Sequence, residues 1–70
     1  MPKLYSSRQV IKVIGKFGFV FVSQKGSHIK YRKYGTPTLT VIVPANRKEI
    51  PFGTFRSIVR QSGLKISDFE

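Results

Sequence analysis

The 70-residue sequence contains no cysteine, no tryptophan, a single histidine and only 3 acidic residues. The absence of cysteine excludes disulfides, a thiol nucleophile and the usual Cys/His zinc site, because one histidine cannot complete such a site. We therefore expect no metal and no cofactor. No apolar run approaches the roughly 18 residues that span a bilayer, so we expect a cytosolic protein that does not enter a membrane.

Positive charge is abundant in this chain and unevenly distributed. The 13 Lys and Arg residues give a net charge of +10, and residues 1–48 contain no acidic residue. A surface of this kind attracts polyanions, so nucleic acid is the first partner to consider. The alternative is a solvated surface that only keeps the protein soluble.

The length predicts one domain over residues 1–70, with a thin two-layer core. Hydrophobic periodicity and turn residues predict a helix, three antiparallel strands and a second helix. The predicted elements are a helix at about 7–17, strands at about 19–24, 28–34 and 38–43, and a helix that has Pro51 in its first turn and ends at Gly63. A last turn, in which Ser67 to Glu70 has the form of a capping box, is expected to dock Phe69 on the core.

Local signals mark where the two helices begin or end. Ser6 and Gln9 have the spacing of a capping box before the first helix, and Gly18 offers the left-handed conformation that ends it. Gly63 followed by Leu64 is typical of a Schellman motif, in which Leu64 packs back on the second helix.

Residues of the second strand alternate between an apolar face and a cationic face. Ile29 and Tyr31 lie on the apolar face, and His28, Lys30 and Arg32 lie on the cationic face. Because only one face of each strand is apolar, we expect both helices on one face of the three-stranded sheet. The other face is left to solvent or to a ligand. This α+β layout is that of the double-stranded RNA-binding domain.

His28 is the one candidate for acid–base chemistry, since histidine is the side chain that titrates near neutral pH without perturbation. It follows the Lys25 turn and shares a strand face with Lys30 and Arg32, whose charges favour a neutral imidazole at pH 7. Such a base could take the proton of an RNA 2′-hydroxyl while Lys30 or Arg32 stabilises the charge on the phosphorane. The alternative, an ordinary exposed histidine, is what the spacing alone favours.

Three aromatic residues have two interpretations. Phe19, Phe21 and Tyr31 are either base-stacking residues of an RNA platform or members of the core. The alternation of Tyr31 with Ile29 favours the core for Tyr31.

Arg56 and Arg60 form a like-charge pair at i and i+4 on the second helix. A phosphate or an acidic partner would relieve their repulsion. The alternative is a solvated basic helix face, with Ser57 and Gln61 alongside.

Three stretches of the chain resemble a known family: Gly18-Phe19 with Lys25-Gly26-Ser27-His28, then Val41 to Pro44, then Gly53 to Leu64. They resemble the HicA-type toxins, small RNA-cleaving proteins of bacterial and archaeal toxin–antitoxin pairs. The resemblance implies a metal-independent endoribonuclease that cleaves mRNA, with His28 as the catalytic residue. It also implies an acidic HicB-type antitoxin that covers the His28 face. The residues expected to bind RNA are Lys25, Gly26, Ser27, Lys30, Arg32 and Arg47.

The chain departs from this family in one respect. Family members often have a further histidine just after the Val-Pro that ends the third strand, where this chain has Ala45-Asn46-Arg47. Asn46 and Arg47 can donate to phosphate, but neither can shuttle a proton at neutral pH. With one histidine, water or His28 itself would have to protonate the leaving 5′-oxygen. There are two alternatives to a ribonuclease. One is a non-catalytic RNA-binding module of the same shape, and the other is a DNA-binding or structural protein.

Overall fold

The computed structural model describes residues 3–70 and confirms the predicted order α-β-β-β-α. The elements are α1 (Ser7–Lys16), β1 (Val20–Lys25), β2 (His28–Lys33), β3 (Leu39–Pro44), α2 (Phe52–Ser62) and a final 3₁₀ turn (Ile66–Phe69). Each predicted boundary is within two residues of the observed one. None of the helices described is long and apolar enough to cross a membrane.

The first helix begins as its capping residues predict. The Gln9 backbone N–H donates to the Ser6 hydroxyl at 3.1 Å, and the Ser6 N–H donates to the Gln9 side-chain oxygen at 2.9 Å. These reciprocal bonds satisfy two donors at the start of the helix. After Phe17 the chain passes through Gly18 with φ of 98°, which ends the helix as expected.

The second helix differs from the prediction in the position of Pro51 at its start and in one hydrogen bond at its end. Pro51 precedes the helix instead of lying in its first turn. At the other end Gly63 has φ of 72°, as predicted. The Leu64 N–H donates to the Ser62 hydroxyl at 3.1 Å, and that hydroxyl donates to the Val59 carbonyl at 2.7 Å. A buried hydroxyl thus replaces one backbone bond of the Schellman motif, while Leu64 still packs on the core.

The capping box predicted for Ser67 is wrong, although the docking of Phe69 is confirmed. The 3₁₀ turn begins at Ile66, and the Lys65 N–H donates to the Asp68 carboxylate at 2.9 Å. Because that carboxylate binds the N–H three residues before it, the cap lies at Lys65, and the turn starts two residues earlier than a cap at Ser67 would have set it. The Phe69 ring is buried, with 5% of its surface exposed.

The three strands form an antiparallel sheet in the order β1-β2-β3. Tyr31 faces Val41 across the sheet, and both lie on the side that the helices cover. The buried residues from the two helices and β3 form one core: Val10, Ile14, Val41, Val43, Phe55, Ile58 and Val59. Both helices therefore pack on one face of the sheet, as the alternation predicted, and the cationic residues of β2 lie on the other.

Candidate functional site

His28 lies where three segments of the chain meet. It is the first residue of β2, and it pairs with Lys25 on β1 and with Pro44 at the end of β3. The Ala45 N–H donates to the Ser27 carbonyl at 2.7 Å and holds the β1–β2 turn against the end of β3. The imidazole is exposed, so a ligand can reach it without a conformational change.

A cavity of about 270 Å³ opens beside His28 at the β3 edge of the sheet, where α2 lies against β3. Arg47 is the cation that lines it, and the other polar groups come from one side of α2. Those polar residues are Thr54, Ser57 and Gln61. The cavity thus combines one imidazole, one guanidinium, two hydroxyls and one amide, which can hold an anion against a base. Within residues 3–70, no three His, Asp or Glu side chains form a metal-ligand group.

Gln61 is held in one orientation by the edge of the sheet. Its side-chain oxygen accepts the Ile42 backbone N–H at 3.0 Å. Since the oxygen is engaged, the Nε2 amide group is the part of Gln61 that can donate to a ligand.

The position of Gln61 and Ser57 differs from the basic, solvated helix face considered above. Both are half-buried and line the His28 cavity. The sequence did contain a signal for this side of the helix. Thr54, Ser57 and Gln61 recur at i, i+3 and i+7, so they form a polar stripe beside the apolar stripe of α2.

The loop that carries Arg47 is tied to the first helix by Ser7, a residue that the sequence analysis missed. The Ser7 N–H donates to the Arg47 carbonyl at 2.9 Å, and the Arg47 N–H donates to the Ser7 hydroxyl at 3.0 Å. The same hydroxyl donates to the Pro44 carbonyl. Ser7 is buried, and it joins the end of β3, the loop and α1. It therefore positions Arg47 beside the cavity.

We predict that Ser7→Ala destabilises the protein more than Ser6→Ala does. Removal of the Ser7 hydroxyl leaves the Arg47 N–H and the Pro44 carbonyl without that partner, which costs about 1–3 kcal/mol. Loss of the exposed cap at Ser6 costs about 1 kcal/mol. Urea unfolding of the two variants measures both free energies. An equal or larger loss in Ser6→Ala would contradict the role given to Ser7.

Lys25, Lys30 and Arg32 lie on the His28 face of the sheet but not in the cavity. Lys25 is directly opposite His28, whereas Lys30 and Arg32 lie about 7 and 13 Å farther along β2. The Arg32 Nε donates to the Thr40 hydroxyl at 3.1 Å, which fixes its position on the sheet. These three cations form a track that leads away from His28.

Gly26 and Ser27 form the turn before His28. Both are exposed, and Gly26 adopts φ of 59°. The Gln24 side-chain amide donates to the Gly26 carbonyl at 3.0 Å. The Gln24 side chain thus helps to hold the turn. The turn joins Lys25 at the end of β1 to His28 at the start of β2.

The aromatic residues do not form a stacking platform beside His28. Tyr31 packs against the core, as predicted, and burial raises the pKa of Tyr31 above its usual range. Phe19 is also buried. Phe21 is 59% exposed and meets Tyr31 edge-on, with ring centroids 6.1 Å apart. Because Phe21 pairs with Tyr31, it lies on the sheet face opposite to His28.

Arg56 and Arg60 line a different cavity, together with Val59 and Ile66. Both arginines are exposed. The Arg60 guanidinium donates to the Ser57 hydroxyl at 3.4 Å. The pair therefore lies on the side of α2 next to the polar stripe, outside the lining of the His28 cavity.

The comparison with known families agrees with this architecture. A family model described as the HicA toxin of bacterial toxin–antitoxin matches residues 7–64 of the chain. The match runs from the first residue of α1 to Leu64 after α2, and it includes every residue that lines the His28 cavity. No curated protein matches the chain.

Proposed function

The chain belongs to the HicA toxins of bacterial toxin–antitoxin systems, and we propose that it acts as an endoribonuclease that cleaves mRNA with His28 as its general base. The observation that supports this proposal is the cavity shared by His28 and Arg47. An exposed imidazole beside a guanidinium matches what RNA cleavage requires: a proton acceptor next to a phosphate site.

In the proposed reaction, His28 takes the proton of a ribose 2′-hydroxyl. The 2′-oxygen forms a bond to the adjacent phosphorus, and the bond from phosphorus to the 5′-oxygen breaks. The leaving 5′-oxygen takes its proton from water or from the His28 imidazolium. The products are a 2′,3′-cyclic phosphate and a 5′-hydroxyl, and the reaction needs no metal. DNA lacks the 2′-hydroxyl and is not a substrate.

Charge that develops on the phosphate is stabilised by donors around the cavity. Arg47 can donate to the non-bridging oxygens, as can the Nε2 amide of Gln61. The track formed by Lys25, Lys30 and Arg32 holds phosphates farther along the strand. The exposed turn at Gly26 and Ser27 borders this path.

A toxin of this class acts with an antitoxin, and we propose an acidic partner of the HicB type that covers the His28 face. Residues 1–48 contain only cationic charge, which complements an acidic protein. A partner bound there would mask His28 and compete with phosphates for Lys30 and Arg32. Binding of the antitoxin would then both inhibit cleavage and exclude RNA.

The test of this function is incubation of the purified protein in EDTA with RNA and with DNA of the same sequence. We expect cleavage of RNA alone, with 2′,3′-cyclic phosphate ends on the fragments. Tight, salt-sensitive RNA binding without cleavage would contradict the proposal and favour a non-catalytic RNA-binding module. Cleavage that EDTA abolishes would contradict the metal-independent route.

A further inference from the structure

A groove of about 610 Å³ lies between the start of α1 and the loop after β3. We propose that this groove is a second subsite, which binds phosphates of the same RNA strand through Arg8 and Lys48. The proposal rests on the proposed function, because it extends the path of the strand that is cleaved at His28. The groove lining is Ser6, Ser7, Arg8, Ile11, Ile29, Asn46, Arg47 and Lys48.

Arg47 connects the groove to the cleavage site, since it lines both this groove and the His28 cavity. An RNA strand with one phosphate at Arg47 can therefore have its 2′-hydroxyl at His28 on one side of Arg47 and its next phosphates in the groove on the other side. The bonds between Ser7 and the backbone of Arg47 hold the two walls together. The groove and the His28 cavity are thus joined at Arg47 in the folded protein itself.

The charge of the groove fits a polyanion. Arg8, Arg47 and Lys48 are all exposed, and no acidic residue is among the lining residues. Glu49 follows Lys48 in the chain and is exposed, but it does not line the groove. Three cations around one groove attract consecutive phosphates more strongly than isolated surface charges do.

Two backbone N–H groups at the start of α1, those of Ser7 and Gln9, are not available to a phosphate in the groove. The Ser7 N–H already donates to the Arg47 carbonyl, and the Gln9 N–H already donates to the Ser6 hydroxyl. These donors are engaged within the protein. The phosphate contacts are therefore assigned to the exposed, charged side chains of Arg8 and Lys48.

The groove suits a nucleic acid strand because both cations and apolar surface line it. Ile11 and Ile29 are half-buried and contribute apolar surface to the same groove as the cations. A ribose or base can lie against that surface while its phosphates meet the charged side chains. An acidic protein segment is the competing occupant. RNA is favoured because Arg47 connects the groove to the His28 cavity.

The first arm of the test measures binding of a 12-nucleotide 2′-O-methyl RNA, which cannot be cleaved, by fluorescence anisotropy at several salt concentrations. The variant Arg8→Gln/Lys48→Gln is expected to bind about tenfold more weakly near 0.15 M salt, with a salt slope smaller by about 1.4. The matched control is Lys16→Gln/Lys65→Gln, which removes the same charge from exposed residues outside the groove. Lys16 lies about 12 Å along α1 from Arg8.

The second arm compares cleavage of a long RNA with cleavage of a dinucleotide by the same variants. We expect Arg8→Gln/Lys48→Gln to raise KM for the long RNA and to leave dinucleotide cleavage unchanged. Equal binding losses in the two double variants would overturn the subsite, because only net charge would then matter. RNA binding by Arg8→Gln/Lys48→Gln that equals that of the parent would also overturn it, and would leave a protein segment as the candidate occupant. The first arm needs no catalysis, so failure of the ribonuclease function and failure of the subsite are distinguishable.

Discussion

His28→Ala is expected to lower the rate of RNA cleavage by about 10² to 10⁴-fold, which is the usual contribution of general base catalysis. RNA affinity is expected to stay nearly the same, because Arg47 and the track of Lys25, Lys30 and Arg32 remain. His28 is exposed, so its removal leaves the core intact. Single-turnover cleavage rates and anisotropy with non-cleavable RNA separate the two quantities.

The matched control for this prediction is Lys30→Gln. Lys30 lies on the same sheet face as His28, two residues along β2 and outside the cavity. We expect this variant to weaken RNA binding and to reduce its salt dependence, with little change in the rate at saturating RNA. Cleavage that survives His28→Ala at the parent rate would show that the base lies elsewhere.

Phe55→Ala is expected to destabilise the protein by about 3–5 kcal/mol, as for other buried aromatic residues replaced by alanine. The Phe55 ring is 2% exposed and lies at the centre of an aromatic cluster. Its centroid is 5.0 Å from that of Tyr5 and 5.2 Å from that of Phe69. A domain of 70 residues has about 4–10 kcal/mol of stability in all. The substitution thus removes a large part of it.

Phe21→Ala is the matched control for Phe55→Ala, since it removes the same side chain from an exposed position. Phe21 is 59% exposed and makes one edge-on contact with Tyr31. We expect Phe21→Ala to lower the free energy of unfolding by less than about 1 kcal/mol, because surface substitutions and a single edge-on aromatic contact have small effects. Urea unfolding measures the free energy of unfolding of both variants, and the comparison holds when their m-values are equal. Similar losses in both would contradict a core centred on Phe55.

The sequence predicts most of the fold because the relevant interactions are local. Ser6 and Gln9 are three residues apart, and their capping box depends only on that spacing. The alternation in β2 assigns Tyr31 to the core and His28 to the other face, as the strand register shows. Pattern reasoning was wrong at Ser67, where Asp68 binds the N–H of Lys65 and sets an earlier start.

The surroundings of His28 could not be predicted in the same way, because they depend on contacts between distant parts of the chain. Ser7 and Arg47 are 40 residues apart, and nothing in the local sequence indicates that the Ser7 hydroxyl binds the loop after β3. Gln61 reaches Ile42 across 19 residues. The polar stripe of α2 was visible in the sequence, but only the packing of α2 against β3 shows that it faces the His28 cavity.

The most direct test of the account uses a synthetic RNA with one mapped cleavage site and a single 2′-deoxyribose at the nucleotide that precedes the broken bond. If His28 removes the proton of the 2′-hydroxyl, this substitution must abolish cleavage at that bond. Cleavage of the all-ribose RNA proceeds in EDTA under the same conditions and serves as the control. Cleavage of the deoxy-substituted bond at the parent rate would show that another nucleophile attacks the phosphate, and it would contradict the mechanism proposed for His28.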